Sequence, residues 1–170
     1  EVNYLYYPEM TDRVKVIASY LKGKTEGKII FDLNCGLAPL YDLLKEDYLL
    51  YFGNDIRYDK TFTRNKFVVY PFTDEEMCNL KPDCDILLNL GVSGYEINKE
   101  EQESKTATAS MNKIIEEKKP ELVVIECVEN FLPVIDLYNL QGYDLDFSEN
   151  LDFGEAWTHK RCIRIYKRKA

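Results

Sequence analysis

The reading of the fold turns on residues 28–39, KIIFDLNCGLAP. Lys28 to Leu33 is a short apolar run, the kind that a strand buried on both faces presents. Gly36 can take a positive φ, and with Ala38 it lets backbone approach a ligand before a helix starts. Pro39 suits an early helical position, and Leu40, Leu43 and Leu44 offer that helix a buried stripe.

Upstream, Thr11 precedes Val14, Ile17, Ala18 and Leu21 at helical spacing, and Gly23 closes that helix. Downstream, Tyr48 to Phe52 (YLLYF) is a second strand running into Gly53-Asn54-Asp55, and Lys66 to Tyr70 (KFVVY) is a third. Thr73 and Glu76 form a capping box for a short helix. Asp85 to Asn89 (DILLN) is the fourth strand, and Asn98 with Glu101 can cap a helix running to about Lys119. Glu121 to Cys127 (ELVVIEC) is the fifth, followed by a helix from about Phe131 to Leu140 that Gly142 ends. Tyr143 to Phe147 and Arg161 to Lys167 leave no room for a crossover helix and are expected to pair antiparallel.

The expected fold is α/β: a doubly wound, mainly parallel seven-stranded sheet with helices on both faces and a C-terminal antiparallel hairpin. One domain is expected over residues 1–170, with residues 1–10 (Tyr4, Tyr6, Tyr7 and Pro8 among them) as a lid or arm. Such sheets bind ligands at the carboxyl ends of their strands, near the switch in strand order. The residues just after each apolar run are therefore the candidates for chemistry.

Composition narrows the classes. Of 170 residues, 45% are hydrophobic and 31% charged, the balance of a globule rather than a disordered chain. No apolar run approaches the roughly 20 residues of a membrane span, and Glu1 to Pro8 lack a signal-peptide profile. Cys35, Cys78, Cys84, Cys127 and Cys162 form no Cys-x-x-Cys pair, which favours buried thiols in a reducing, cytoplasmic setting. Cys78, Cys84 and His159 have the wrong spacing for zinc, so no metal is expected. A net charge of −8 repels polyphosphate, and nucleic acid is not expected as a partner. The basic stretch His159 to Lys169 has acidic Asp144, Asp146, Glu149, Asp152 and Glu155 to face across a hairpin, which favours pairing over an RNA patch.

Asp55 ends the second strand about 20 residues past the glycine turn, where an acid suits a bidentate bond to ribose hydroxyls. With Asp32 to Gly36 as an acidic strand end entering a small-residue turn, the chain resembles the class I S-adenosylmethionine-dependent methyltransferases. Gly53-Asn54-Asp55-Ile56 is similar to their second motif, Phe72-Thr73-Asp74 to their third, and Asn89-Leu90-Gly91 to their fourth. The resemblance spans roughly residues 11 to 168 and includes the terminal hairpin. It implies S-adenosylmethionine as cofactor, with Asp32, Asn34, Gly36, Asp55, Ile56, Phe72, Thr73 and Asn89 around it. It departs from the family in supplying one glycine among Asn34, Gly36 and Ala38, and in lacking a Pro-Pro-Tyr fourth motif. The latter gives no support to amino-group methylation of adenine or glutamine.

A sulfonium methyl donor is already reactive, so positioning and exclusion of water suffice for much of the catalysis. The segment Asn89 to Glu96 (NLGVSGYE) is expected to border the methyl, with Asn89, Tyr95 and Glu96 as its polar groups, Asn89 orienting an acceptor and Glu96 taking its proton. A polar surface turn is the plain alternative. Glu126, Glu129 and Asn130 fall at the same edge, and Trp157 and His159 reach its rim if the sixth strand runs parallel to the others. The expected function is methyl transfer to a small molecule or a protein side chain. A methyltransferase-like binding or regulatory domain is the second reading. A nicotinamide-dependent oxidoreductase is the third, and it lacks the Gly-x-Gly-x-x-Gly that cradles pyrophosphate.

Overall fold

The chain was analysed as a computed structural model, which describes residues 8–92, 101–153 and 160–170. The apolar runs pair into one eight-stranded sheet, whose central strands carry side chains that must be covered on both faces. In chain order the elements are α1 (Pro8–Leu21), β1 (Ile29–Leu33), β2 (Leu50–Asn54), β3 (Phe62–Arg64), β4 (Phe67–Tyr70), α2 (Asp74–Asn79) and β5 (Ile86–Val92). There follow α3 (Glu101–Lys118), β6 (Leu122–Val128), β7 (Tyr143–Leu151) and β8 (Arg161–Arg168). The order across the sheet is β3-β4-β2-β1-β5-β6-β8-β7. β1, β2, β4, β5 and β6 are mutually parallel, and β8 lies antiparallel to both β6 and β7.

The mainly parallel sheet and its C-terminal hairpin are as expected, with one strand added. β3 forms a tight hairpin with β4 across Asn65, whose φ is 54°. Its side chains are all exposed and its length is three residues, so it carries no hydrophobic pattern to read.

Helices cover both faces. Val14, Ile17 and Leu21 of α1 pack on Ile30, Leu88 and Val124. Met111, Ile114 and Ile115 of α3 pack with Met77 and Cys78 of α2 on Phe31, Leu87 and Ile125. Each such aliphatic side chain contributes about 1.5–3 kcal/mol on burial. The Thr73–Glu76 capping box closes both of its bonds, at 3.0 and 3.1 Å.

Two expected helices are replaced by tighter turns. After β1 only a 3-10 turn, Tyr41–Leu43, forms. Tyr41 anchors it by stacking on Phe67, with ring centroids 4.2 Å apart, and Leu43 is left exposed. After β6, Glu129–Leu137 is a 3-10 helix containing Pro133, which has no N–H for an α-helical bond.

Pairing puts Asp32 beside Gly53, Leu33 beside Asn89, and Leu90 beside Glu126. The carboxyl ends of β1, β2, β5 and β6 thus meet where the strand order reverses, between β1 and β5.

Candidate functional site

The turn after β1 is unusual in its backbone. Asn34, Gly36 and Ala38 have φ of 54°, 55° and 50°, so alternate residues occupy the left-handed region. Glycine does this freely and asparagine tolerates it, but for alanine it costs roughly 1–2 kcal/mol. The end of β2 holds the turn in that shape. Asn54 accepts from Asn34 N through its side chain (3.1 Å) and from Cys35 N through its carbonyl (2.9 Å). Asp55 accepts from Gly36 N at 2.9 Å. The Asn54 amide also donates to Phe72 O (3.2 Å) and Asp74 Oδ1 (2.7 Å), tying the turn to the segment after β4.

Two buried acids flank the turn in opposite electrostatic states. Burial pushes the Asp32 carboxyl up to about 7, against the Tyr51 hydroxyl that donates to it at 2.5 Å and the nearby Arg13 charge. Burial acts upward on Asp55 too, but Arg57 and the Gly36 amide outweigh it and hold that carboxyl below its ordinary value. Asp55 Oδ1 accepts from the Arg57 amide and Nε (both 2.9 Å), and Oδ2 from Arg57 Nη2 (2.7 Å) and Gly36 N (2.9 Å). Asp55 is 2% exposed in its side chain, whereas Arg57 is 68% exposed.

Beside the turn lies a cleft of about 220 Å³, bounded by Asp32, Asn34 and Gly36 on one strand end and by Arg57, Leu90 and Arg13. Cys35 also lines it, but burial first, and then the charges of Asp32 and Asp55, push its thiol well up, so it stays protonated. Next to the cleft, Glu126 is 0% exposed and bound between two arginines. Arg13 Nη1 lies 2.9 Å from it, Arg161 Nε and Nη2 lie 2.6 and 2.8 Å away, and Gly91 N donates at 2.8 Å. Burial raises the Glu126 pKa, but the two guanidinium charges prevail and the net shift is downward. The ionised carboxylate therefore pins the end of β5 to α1 and β8.

Of the residues expected from sequence, Asp32, Asn34 and Gly36 line the cleft, whereas Asp55 does not line it and is bonded to Gly36 and Arg57, which do. Ile56 is 69% exposed next to them. Phe72 stacks on Tyr70 with centroids 5.6 Å apart, and the Thr73 hydroxyl is spent on its cap. Asn89 faces α3 and the second 3-10 helix, donating to the Tyr138 hydroxyl at 2.8 Å and to Met111 Sδ at 3.6 Å. Tyr95, Glu96, Trp157 and His159 lie outside the described residues. Glu126 is a strand residue inside the triad rather than part of a loop after the strand.

Arg13, Asn54, Arg57 and Arg161 are site residues that the sequence reading does not single out. A faint signal exists for two of them: Arg13 stands four residues before buried Ile17, on the same helical face, and Asn54 is a polar group in a strand end.

No family profile and no curated protein sequence matches the chain. Solved structures do. The N-methyltransferase NodS of Bradyrhizobium japonicum, known also in complex with S-adenosyl-L-homocysteine, superposes with a TM-score of 0.70 at 9% identity. That match covers 98% of this chain and 99% of NodS. The magnesium protoporphyrin IX methyltransferase of Synechocystis, with bound S-adenosylmethionine, gives 0.69 at 14% identity over 99% of this chain and 86% of its own. The methyltransferase domain of a bacterial Hen1 gives 0.61 at 16% identity over 92% and 98%. At such identities the likeness is one of architecture: this chain has the Rossmann-like fold of the class I methyltransferases.

Proposed function

We propose that the chain is an S-adenosylmethionine-dependent methyltransferase acting on a small molecule or a protein side chain. The observation that carries this reading is the left-handed alternation at Asn34, Gly36 and Ala38, held against Asp55 at the switch point of the sheet. The loop takes left-handed backbone at all three small positions although two of them are not glycine. Bound there, the cofactor supplies a methyl on a sulfonium, a leaving group that needs no activation by the protein.

The residues present fit that group. Asp55, its carboxyl held below its ordinary value, would take a ribose diol once the exposed Arg57 guanidinium gives way. Ile56 offers an exposed apolar surface beside it for a base. Asp32, titrating near neutrality, suits an ammonium. Tyr95 and Glu96, in the segment after β5, are proposed to face the acceptor, with Glu96 receiving its proton. Asn89, held by Tyr138, would fix the start of that segment. The net charge of −8 supports an acceptor other than nucleic acid.

The nicotinamide reading loses its physical basis, because β1 is followed by a three-residue 3-10 turn and not by an α-helix whose amides would meet a pyrophosphate. A binding or regulatory domain of the same fold is the second reading. It is favoured by one observation: the cleft, at about 220 Å³ with Arg57 across Asp55, is smaller than the roughly 300–1,000 Å³ of most small-molecule sites.

A thermal melt tests the proposal. Saturation at a hundredfold excess over the dissociation constant adds about 2.7 kcal/mol, which raises the Tm of a domain this size by about 5–10 °C. S-adenosylhomocysteine is expected to produce that shift and nicotinamide dinucleotides none. A shift with the dinucleotide alone would reverse the assignment, and methyl transfer to an acceptor separates the enzyme from a binding domain.

A further inference from the structure

The corner of the sheet beyond β2 differs in charge from the rest of the chain. Net charge is −8 overall, yet residues 57–66 (RYDKTFTRNK) hold four cations against one acid. Lys60, Arg64 and Lys66 are exposed and form no ion pair among the described residues. They lie in and beside β3, the edge of the sheet. β4 pairs with one side of β3, and the other side keeps a row of unpaired backbone donors and acceptors. Apolar groups stand at the same corner. Phe62 of β3 is exposed and lies 6.3 Å, ring to ring, from Tyr58, whose hydroxyl donates to Gly36 O in the turn after β1 at 3.0 Å. Leu37 and Ile56 are exposed next to Gly36 and Asp55, which are bonded to each other. Phe62 pairs with Val69, which precedes Tyr70, and the Tyr70 carbonyl accepts from Asp55 N at 3.0 Å. β3 therefore begins at the same sheet edge as the cleft.

A surface that joins exposed apolar side chains, unpaired cations and open backbone matches an extended polypeptide that carries acids. Nucleic acid would meet the cations but not the strand edge, and the overall negative charge opposes it. We propose that an acidic, extended segment of a protein substrate docks along β3, adding a strand to the sheet and bringing its methyl acceptor to the cleft. The inference deepens the protein side chain branch of the methyl-transfer reading, on which it rests for the purpose of the docking. The strand order sets a spacing. A strand added outside β3 lies four positions from β1, about 19 Å at about 4.8 Å per strand. An extended chain covers that distance in about six residues, so the docked acids are expected about six residues from the side chain that is modified.

Fluorescence anisotropy on the full chain tests this with a labelled ten-residue peptide of alternating glutamate and valine. The comparison probes are the same peptide with every second amide N-methylated, and a ten-nucleotide oligouridylate. The double variant Lys60→Glu/Arg64→Glu is expected to bind the glutamate peptide at least about fivefold more weakly than wild type, since two charge contacts become repulsive. N-methylation is expected to weaken wild-type binding at least about fivefold, because it removes backbone hydrogen bonds. Tm and S-adenosylhomocysteine affinity of the variant should stay within about 2 °C and twofold of wild type, which shows that it is folded. Equal peptide affinity in variant and wild type places the peptide elsewhere and overturns the proposal. Absence of peptide binding to the wild type also overturns it, and leaves the cations as protection of a sheet edge. Tighter binding of the oligouridylate, lost in the variant, makes the corner a nucleic-acid surface and overturns it as well. If the peptide binds as expected and S-adenosylhomocysteine does not, the docking surface stands and the methyl-transfer reading falls.

Discussion

Asp55 and Arg57 stand two positions apart and form an ion pair of 2.7 Å at the end of β2. A carboxylate offers about four acceptor positions, and four protein donors already occupy those of Asp55. Two belong to the side chain of an exposed arginine and are the ones a ribose diol would displace. Opposite effects follow for the two partners. Asp55→Ala is expected to weaken S-adenosylhomocysteine at least about tenfold, since hydrogen bonds to a charged group contribute about 1.5–3 kcal/mol. Arg57→Ala is expected to tighten it by up to about fivefold, because an exposed ion pair is worth roughly 0–1 kcal/mol and its competition disappears. Titration calorimetry reads both, and weakening by Arg57→Ala would make the arginine a ligand contact instead of a competitor. The sequence pointed to Asp55 because an acid ending an apolar strand has a positional meaning. Arg57 had no such marker, since an arginine two residues into a loop is ordinary until its partner is seen.

At the scale of elements, the β1 turn and the end of β2 work as one unit. Gly53 carries no side chain because there is no space for one: a Cβ would lie 2.6 Å from Asp32 O and 2.7 Å from Cys35 Sγ. The first neighbour is backbone and cannot yield. Gly53→Ala is therefore expected to destabilise by about 1–3 kcal/mol, lowering Tm by about 3–10 °C, and to weaken S-adenosylhomocysteine as the turn is pushed off Asn54. A melt and a titration on the same sample check this, and unchanged values for both would mean the two strand ends are not packed as described. The strands themselves were legible from their apolar runs, with boundaries moved by up to four residues, as at β7 (expected over 143–147, formed by Tyr143–Leu151). The segments after β1 and β6 were read as helices from leucine spacing and Gly142. Tertiary packing of Tyr41 on Phe67, and the missing amide of Pro133, turned both into 3-10 structure.

For the whole molecule, the sheet brings Asp32 and Asp55, far apart in sequence, into one electrostatic neighbourhood, and stability and ligand binding are expected to respond oppositely to pH. The Asp32 carboxyl is raised to about 7 when folded, chiefly by burial, and returns to the ordinary carboxylate range when unfolded. Between about pH 4 and 7 the native state holds the extra proton, so stability falls as pH rises through that window. The lowered carboxyls of Asp55 and Glu126 act in the other sense, and at lower pH: their contribution is lost as acid protonates them. If ionised Asp32 meets an ammonium, S-adenosylhomocysteine affinity rises over the same window and levels off above about pH 7. Melts and titrations from pH 5 to 8 should show both trends, and Asp32→Asn should flatten both. Parallel slopes in the wild type would separate Asp32 from ligand binding.

By itself the sequence determined the α/β class, the strand set except β3, the antiparallel pairing of the 143–147 and 161–167 segments, and a small-residue turn after β1 flanked by Asp55. These rest on local causes: apolar runs needing cover on both faces, turn residues that relieve backbone strain, and acids at strand ends. Only the tertiary structure decided that Arg13, Glu126 and Arg161, drawn from α1, β6 and β8, share one buried cluster, and that Asn89 turns toward Tyr138. A charge inside an apolar helix or strand has no readable meaning alone. Its burial is tolerable only with a partner, and which partner arrives is set by strand order and register, properties that no local stretch of the chain contains.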